Sequence, residues 1–143
     1  MKNNKDQNLV DIRDGIRAIC KNFPNSYWRN LDANREYPSE FVKTLTENGY
    51  LAVLIPEDFG GSGLGLSEAA AILEEIHMSG GNAAACHAQM YTMGTILRHG
   101  SEKQKLRYLP KIASGECRLQ AFGVTEPTSG SDATRLLTTA KKD

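Results

Sequence analysis

The segment from Phe122 to Asp132 contains the residue types that could carry chemistry. It reads Phe-Gly-Val-Thr-Glu-Pro-Thr-Ser-Gly-Ser-Asp, an apolar run that leads through a proline turn into a small, hydroxyl-rich loop. Four hydroxyls and one glycine offer O–H and N–H donors to an anion or to the polar edge of an aromatic cofactor. The same residue types also form ordinary Ser/Thr/Gly turns, and local chemistry alone favours that simpler interpretation.

Other reactive side chains show no pattern typical of a catalytic or metal site. The three histidines and three cysteines lack the short spacings of a zinc site, so we expect no bound metal. Cys86 and His87 are adjacent, but neighbours on a helix point about 100° apart and do not form a catalytic pair. The loop 60–65 is glycine-rich yet lacks the Gly-Lys-Ser/Thr ending of a P-loop. We expect it to be a turn between helical elements.

Composition indicates a soluble globular domain. The chain has 143 residues, of which 40% are hydrophobic, and 17 basic side chains balance 17 acidic ones. A balanced charge favours neither nucleic acid nor an anionic membrane as a partner. The longest apolar run, Leu51 to Ile55, is too short to cross a bilayer, and no apolar signal segment follows the N-terminus. Three scattered cysteines suggest reduced thiols, and together these features predict a cytoplasmic location.

Hydrophobic periodicity predicts about five helices in residues 1–115. The first runs from Leu9 to Phe23 and ends at Pro24, and residues 25–37 are expected to form a connecting loop. A second helix starts at Pro38 and stops at Gly49. Residues 50–55 form an apolar segment, either a strand or buried extended chain. Three further helices begin at Ser67 as N-cap, at about Ala83, and at the capping box Ser-Glu-Lys-Gln of residues 101–104. Pro110 is expected to kink or restart the last one.

The hydrophobic pattern of the sequence changes after Gly115. Residues 117–125 are predicted to form a strand, 126–132 a loop, and 136–140 the start of a second strand. The predicted fold is therefore mainly α: a helical domain over 1–115, followed by the first strands of a β domain over 116–143.

Three stretches in register resemble motifs of the acyl-CoA dehydrogenase family. Val-Thr-Glu-Pro-x-x-Gly-Ser-Asp at 124–132 resembles its flavin-binding signature. Ile-Pro-Glu-Asp-Phe-Gly-Gly-Ser-Gly at 55–63 is similar to the Pro-Glu-x-x-Gly-Gly loop of its helical domain. Gly-Ser-Glu-Lys-Gln-Lys at 100–105, with Tyr-Leu-Pro and Ala-Ser-Gly-Glu downstream, resembles a further family helix and turn. The likeness covers roughly residue 36 to the end and favours the binding-loop interpretation over a plain turn.

The resemblance implies FAD as cofactor and assigns a role to five residues of the segment. Phe122, Val124 and Thr125 would border the isoalloxazine ring, with Thr125 near its polar edge. Gly130 and Ser131 would meet the pyrophosphate, and Ser131 would also face the acyl-CoA thioester. Two positions depart from the common family pattern. Thr128 replaces a frequent glycine, and Phe122 replaces a frequent tyrosine and removes one hydroxyl.

The resemblance also implies the reaction, α,β-dehydrogenation of an acyl-CoA with a glutamate as base. No position of this chain corresponds to that glutamate, so no catalytic residue is assigned, and Glu126 and Asp132 are expected to orient the loop. The resemblance implies electron-transfer flavoprotein as a partner and a homo-oligomer for the full-length enzyme. Three alternatives stay open: a non-enzymatic truncated remnant, a helical interaction module, and an acyl-CoA oxidase-like or flavin monooxygenase-like relative.

Overall fold

The computed structural model describes residues 4–121 and 123–142, with side chains from Gln7 onward. Six α-helices account for most of this part of the chain: α1 (Asn4–Cys20), α2 (Asn25–Asn34), α3 (Ser39–Glu47), α4 (Leu66–Met78), α5 (Ala84–His99) and α6 (Glu102–Ser114). Short 3-10 turns occupy Tyr50–Ala52, Glu57–Phe59 and Ala133–Arg135. Within the described ranges, no helix combines the length and apolarity needed to cross a bilayer. The expected mainly α architecture is confirmed.

The larger of two core clusters lies where α1 and α4 pack together. The apolar stripe of α1 places Ile16 in this cluster with no exposed surface, and Ile72 and Ile76 of α4 are equally buried. Phe41 and Leu45 of α3 complete its floor. Each of these side chains removes enough apolar surface from water to favour folding by about 1.5–3 kcal/mol. The helices are therefore held by burial of one face each, as the sequence periodicity predicted.

A second core cluster joins α5 and α6. Met93 of α5 packs with Leu109 and Ile112 of α6, and Ile55 reaches the same cluster from the preceding connection. The segment around residue 52–55 thus lies between both clusters and links the two halves of the bundle.

The expected connecting loop at residues 25–37 is wrong for its first ten residues, which form α2. Tyr27 makes an edge-to-face contact with Phe23 at a centroid distance of 5.0 Å, and Trp28 makes one with Phe41 at 4.9 Å. The indole Nε1–H of Trp28 also donates to the Phe23 carbonyl at 3.1 Å. Aromatic packing of this kind adds to simple burial. Tertiary contacts therefore stabilise a helix whose polar sequence carries only a weak helical signal.

Residues 50–65 form neither a strand nor an extended chain. Two 3-10 turns fold this segment back on itself, and the N–H groups of Gly63 and Leu64 donate to the Ile55 and Val53 carbonyls at 2.8 Å each. A Cβ on Gly61 would lie 2.0 Å from the Ile55 carbonyl oxygen. The glycine loop is therefore a packed turn between α3 and α4, and the expectation that it redirects helical elements is confirmed.

Helix ends follow local capping rules at α6 but differ from expectation at α4. The capping box of α6 is confirmed: Ser101 Oγ accepts from the Gln104 N–H at 3.3 Å, and Gln104 Oε1 accepts from the Ser101 N–H at 2.8 Å. The predicted N-cap at Ser67 is wrong, because α4 begins at Leu66 and the Glu68 carboxylate accepts from the Gly65 N–H at 3.0 Å.

The expected restart of α6 at Pro110 does not occur, since one helix runs from Glu102 to Ser114 through this proline. Proline has no N–H, so the carbonyl of Leu106 one turn earlier loses its helical donor. Leu106 is 65% exposed, so water can hydrate that carbonyl. A proline at this position therefore lowers the stability of the helix less than a proline whose unpaired carbonyl faces the core.

The predicted strands over 117–125 and 136–140 are not confirmed. In the described residues after α6, the sole ladder-like pairing is an isolated antiparallel bridge between Glu126 and Ser129. Most of the described residues of this segment have no regular secondary structure, and a strand forms through hydrogen bonds to a neighbouring strand. The described part of the chain places no such neighbour beside it.

Candidate functional site

The predicted binding segment contains one tight turn. The N–H of Glu126 donates to the Ser129 carbonyl at 3.0 Å, and the N–H of Ser129 donates back to the Glu126 carbonyl at 3.1 Å. Pro127 and Thr128 form the tip, where the fixed φ of proline favours turning. The loop is thus closed by its own backbone.

Ser129 and Asp132 hold the second half of this loop. Ser129 is 4% exposed, and its hydroxyl donates to the Asp132 carbonyl at 2.5 Å. The Asp132 carboxylate in turn accepts from the Thr134 hydroxyl at 2.5 Å. Between these anchors the chain bulges outward at Gly130 and Ser131.

The Glu126 carboxylate fastens the loop to the segment that follows. It accepts from the N–H groups of Leu137 and Thr138 at 2.9 and 2.7 Å, and from the Thr138 hydroxyl. The Thr138 hydroxyl, followed by the two backbone donors, lowers the pKa of Glu126 below its usual 4.5. All these donors favour the ionised form, so Glu126 is a loop-holding carboxylate in this geometry.

Four of the five predicted FAD-binding residues lie in the described part, and all four are exposed: Val124, Thr125, Gly130 and Ser131. Phe122 lies outside the described residues. Within the described ranges, the N–H groups of Gly130 and Ser131 have no partner, and a Cβ on Gly130 would meet open space. N–H and O–H donors on exposed residues beside an unobstructed glycine fit a pyrophosphate or the carbonyl edge of a flavin. The donor set is therefore suitable for FAD.

A cavity of about 410 Å³ lies beside the binding loop and is lined by Thr128 and residues 134–137. The four exposed binding residues do not line it. The loop therefore presents its donors to the outside rather than enclosing a ligand.

A larger cavity of about 950 Å³ lies between α2 and the first turns of α5. Its walls combine aromatic and small residues, among them Trp28, Tyr37, His87, Ala88 and Tyr91, with the charged residues Arg29, Asp32, Arg35 and Glu36. His87 packs edge-to-face on Tyr91 with ring centroids 5.2 Å apart. Concave, mainly apolar sites of this volume are typical of small-molecule binding. Sequence reasoning missed this cavity, because its residues come from separate elements and share no motif.

Gln120 connects the large cavity to the predicted binding segment. Its side-chain amide donates to the Ala85 carbonyl in the first turn of α5 at 3.1 Å, and its Oε1 accepts from the Tyr37 hydroxyl at 2.9 Å. It also forms part of the cavity wall. A single glutamine in an apolar run carries no sequence signal for such a role.

The cysteines and histidines form no reactive cluster in the described residues. No group of three metal-ligating side chains comes together there. All three cysteines are free thiols, and burial raises the pKa of Cys86 to about 12. A thiol with that pKa is protonated at neutral pH and is a poor nucleophile.

The fold is a helical domain followed by a segment rich in hydrogen-bond donors, and comparison with known proteins identifies its family. Residues 6–116 match the model of the "Acyl-CoA dehydrogenase, N-terminal domain". The chain belongs to the acyl-CoA dehydrogenase family.

Individual relatives agree with this assignment. The chain is 32% identical over 133 residues to the acyl-CoA dehydrogenase FadE12 of Mycobacterium tuberculosis, covering 92% of this chain and 34% of that protein. Among solved structures it resembles a glutaryl-coenzyme A dehydrogenase in complex with glutaryl-CoA (31% identity, TM-score 0.74, 90% of this chain and 33% of that one). It also resembles an acyl-CoA dehydrogenase of Bacillus anthracis complexed with FAD (32% identity, TM-score 0.76, 90% and 22%). The chain thus spans about a third of the length of the curated relative.

Proposed function

We propose that this chain supplies the helical domain and a flavin-contacting loop for FAD-dependent α,β-dehydrogenation of acyl-CoA thioesters to enoyl-CoA. Family membership over residues 6–116 supports the class of reaction. The observation that carries the proposal for this chain is that Gly130 and Ser131 are exposed and that their N–H groups have no partner among the described residues, in a loop held by Glu126 and Ser129. Such a loop is held by its own hydrogen bonds and leaves Gly130 and Ser131 exposed to a ligand.

Each binding residue has a proposed contact. Val124 would pack on the flat isoalloxazine ring, and Thr125 would donate to its polar edge. Gly130 and Ser131 would contact the pyrophosphate, and Ser131 would also face the thioester. Their exposure and the space around Gly130 support this assignment. Phe122 is proposed on the family resemblance alone.

The chemistry divides between the cofactor and the chain. Bound FAD would supply the hydride-accepting ring. The residues of this chain would bind and orient the cofactor and the acyl group. The carboxylate of Glu126 accepts from three donors of Leu137 and Thr138 in the segment after the loop, which supports a structural role rather than that of a base.

The large cavity is the proposed location of the acyl group. Gln120 lines it and stands two residues before Phe122, where the segment proposed to contact FAD begins. Rings and alanines offer the apolar surface that an acyl chain needs. A solved relative is described as a complex with glutaryl-CoA, which supports an acyl-CoA as the ligand class. Electron-transfer flavoprotein and a homo-oligomeric full-length enzyme are proposed as partners on the family resemblance.

Titration of the purified 143-residue chain with FAD tests this proposal. We expect saturable binding, seen as quenching of flavin fluorescence. Thr125→Val and Ser131→Ala should each weaken binding about threefold to tenfold, because each removes a hydrogen bond. Thr44→Val is the matched control, since Thr44 is a partly exposed threonine on α3 whose hydroxyl donates to the Glu40 carbonyl. A chain that binds no FAD would favour a remnant or a helical interaction module.

Activity is tested separately with octanoyl-CoA and an artificial electron acceptor. We expect no steady turnover from this chain, because none of its residues is assigned as the base. Sustained reduction of the acceptor by the purified chain would contradict that assignment.

A further inference from the structure

We propose that Gln120 is a positioning residue that holds the flavin segment (124–132) against the first turn of α5, at one end of the large cavity. This inference rests on the proposed function, because it concerns how the binding loop is held in position beside the cavity. Gln120 bonds two elements that are distant in sequence, Tyr37 before α3 and Ala85 in α5.

The chemistry of the side chain suits this task. A primary amide is both donor and acceptor, so one side chain accepts from the Tyr37 hydroxyl and donates to the Ala85 carbonyl. The bond to the Ala85 carbonyl is partly buried, which shields it from competing water, whereas the bond to Tyr37 is exposed. A carboxylate would keep the first bond but would repel the second carbonyl.

The position of Gln120 in the chain explains how these two bonds can hold the flavin segment. Upstream, Cys117 is tied to α6 by its N–H bond to the Lys111 carbonyl at 2.9 Å, and Arg118 donates to the Thr46 hydroxyl at 3.1 Å. Downstream, the described residues before Glu126 are exposed. Gln120 is therefore the last described anchor to the helical bundle before the binding loop.

FAD binding by four variants of the chain tests the proposal. Gln120→Ala should weaken FAD binding about tenfold, the effect of losing one or two hydrogen bonds. Gln120→Glu should resemble it, and Tyr37→Phe should cost about threefold because the bond to Ala85 remains. Gln7→Ala is the matched control, because Gln7 makes one exposed side-chain bond, to Asp11 on α1. It should change nothing.

Two further readouts separate positioning from general destabilisation. The thermal unfolding midpoint should stay the same in Gln120→Ala while the FAD affinity and the flavin absorption maxima change. If the midpoint falls in proportion to the loss of affinity, or if affinity is unchanged, Gln120 is not a positioning residue.

A chain that binds no FAD would reject the proposed function. The positioning role of Gln120 can still be tested in that case by nuclear magnetic resonance. In the wild-type chain we expect nuclear Overhauser contacts between Ala121 and the first turn of α5. Their loss in Gln120→Ala, with contacts among the helices kept, would support the positioning role. Their persistence would overturn it.

Discussion

Glu75 of α4 carries a closely paired charge at the junction with α1. Its side chain is 3% exposed and accepts from Arg13 Nη1, Arg17 Nε and Arg17 Nη2, each at 2.8 Å. Hydrogen bonds from Arg17, and then from Arg13, lower the pKa of Glu75 below its usual 4.5, against the opposing effect of desolvation. A buried carboxylate of this kind is tolerated because its partners satisfy it.

Glu75→Gln should lower the free energy of unfolding by about 1–3 kcal/mol at neutral pH, because charge-assisted hydrogen bonds are lost. The native pKa lies below 4.5, so the stabilisation is present above pH 4.5 and is lost as the pH falls through the native pKa. Urea unfolding at several pH values measures this. Glu74→Gln, at a carboxylate that is 56% exposed, should have a much smaller effect. A pH-independent difference between wild type and Glu75→Gln would contradict the account.

Thr138 is expected to control the ionisation of Glu126. Its hydroxyl is the largest cause of the lowered pKa, so Thr138→Val should raise the pKa of Glu126 towards 4.5. Titration of the side-chain carboxyl by nuclear magnetic resonance gives the value directly. Thr134→Val is the control, because that hydroxyl donates to Asp132 instead. An unchanged Glu126 pKa in Thr138→Val would show that the loop contact does not form in solution.

At the scale of elements, alanine substitution at two glycines is expected to change the stability of the chain in opposite directions. Gly61→Ala should destabilise the chain by at least about 2 kcal/mol, because its Cβ would lie 2.0 Å from a backbone oxygen and the packed turn would have to open. Gly94→Ala, in the middle of α5 with open space around the new Cβ, should stabilise it by about 0.5–1 kcal/mol. Thermal unfolding of both variants checks the pair. An equal change in stability for the two variants would mean that the turn at 50–65 has room for a Cβ at Gly61.

Gly115 turns the chain from α6 towards the binding segment. Its φ is +81°, a conformation that side chains disfavour, and a Cβ there would lie 2.7 Å from Thr46 Cγ2. Thr46 also accepts from Arg118, so the same residue shapes the turn and anchors the segment beyond it. The end of one helix is thus built to direct the next segment.

For the whole molecule, the two core clusters lie entirely within residues 12–119. Deletion of residues 123–143 should therefore leave the helical circular dichroism and the unfolding midpoint nearly unchanged, since Ser129 is the sole buried side chain among the described residues removed. Deletion of residues 1–20 is the contrasting control. It removes Ile16 and the arginine partners of Glu75 and should abolish cooperative unfolding. A large loss of stability from the first deletion would argue against a self-sufficient helical domain over 1–115.

Local physics explains why much of this molecule was predictable from sequence. Apolar spacing located five of the helices because each buries one stripe, and the Ser101 box started α6 because cap and helix lie within four residues. The family resemblance, carried by three motifs, was confirmed over residues 6–116. These features need no knowledge of distant contacts.

Tertiary structure decided the remainder, because the stabilising partners are far apart in sequence. Helix α2 depends on rings from three elements, and the large cavity forms where α2, α5 and Gln120 meet. The predicted strands were not confirmed, since strand formation requires a partner that no local pattern supplies. Short-range patterns thus specified helices and a donor-rich loop, whereas long-range packing specified where a ligand could lie between them.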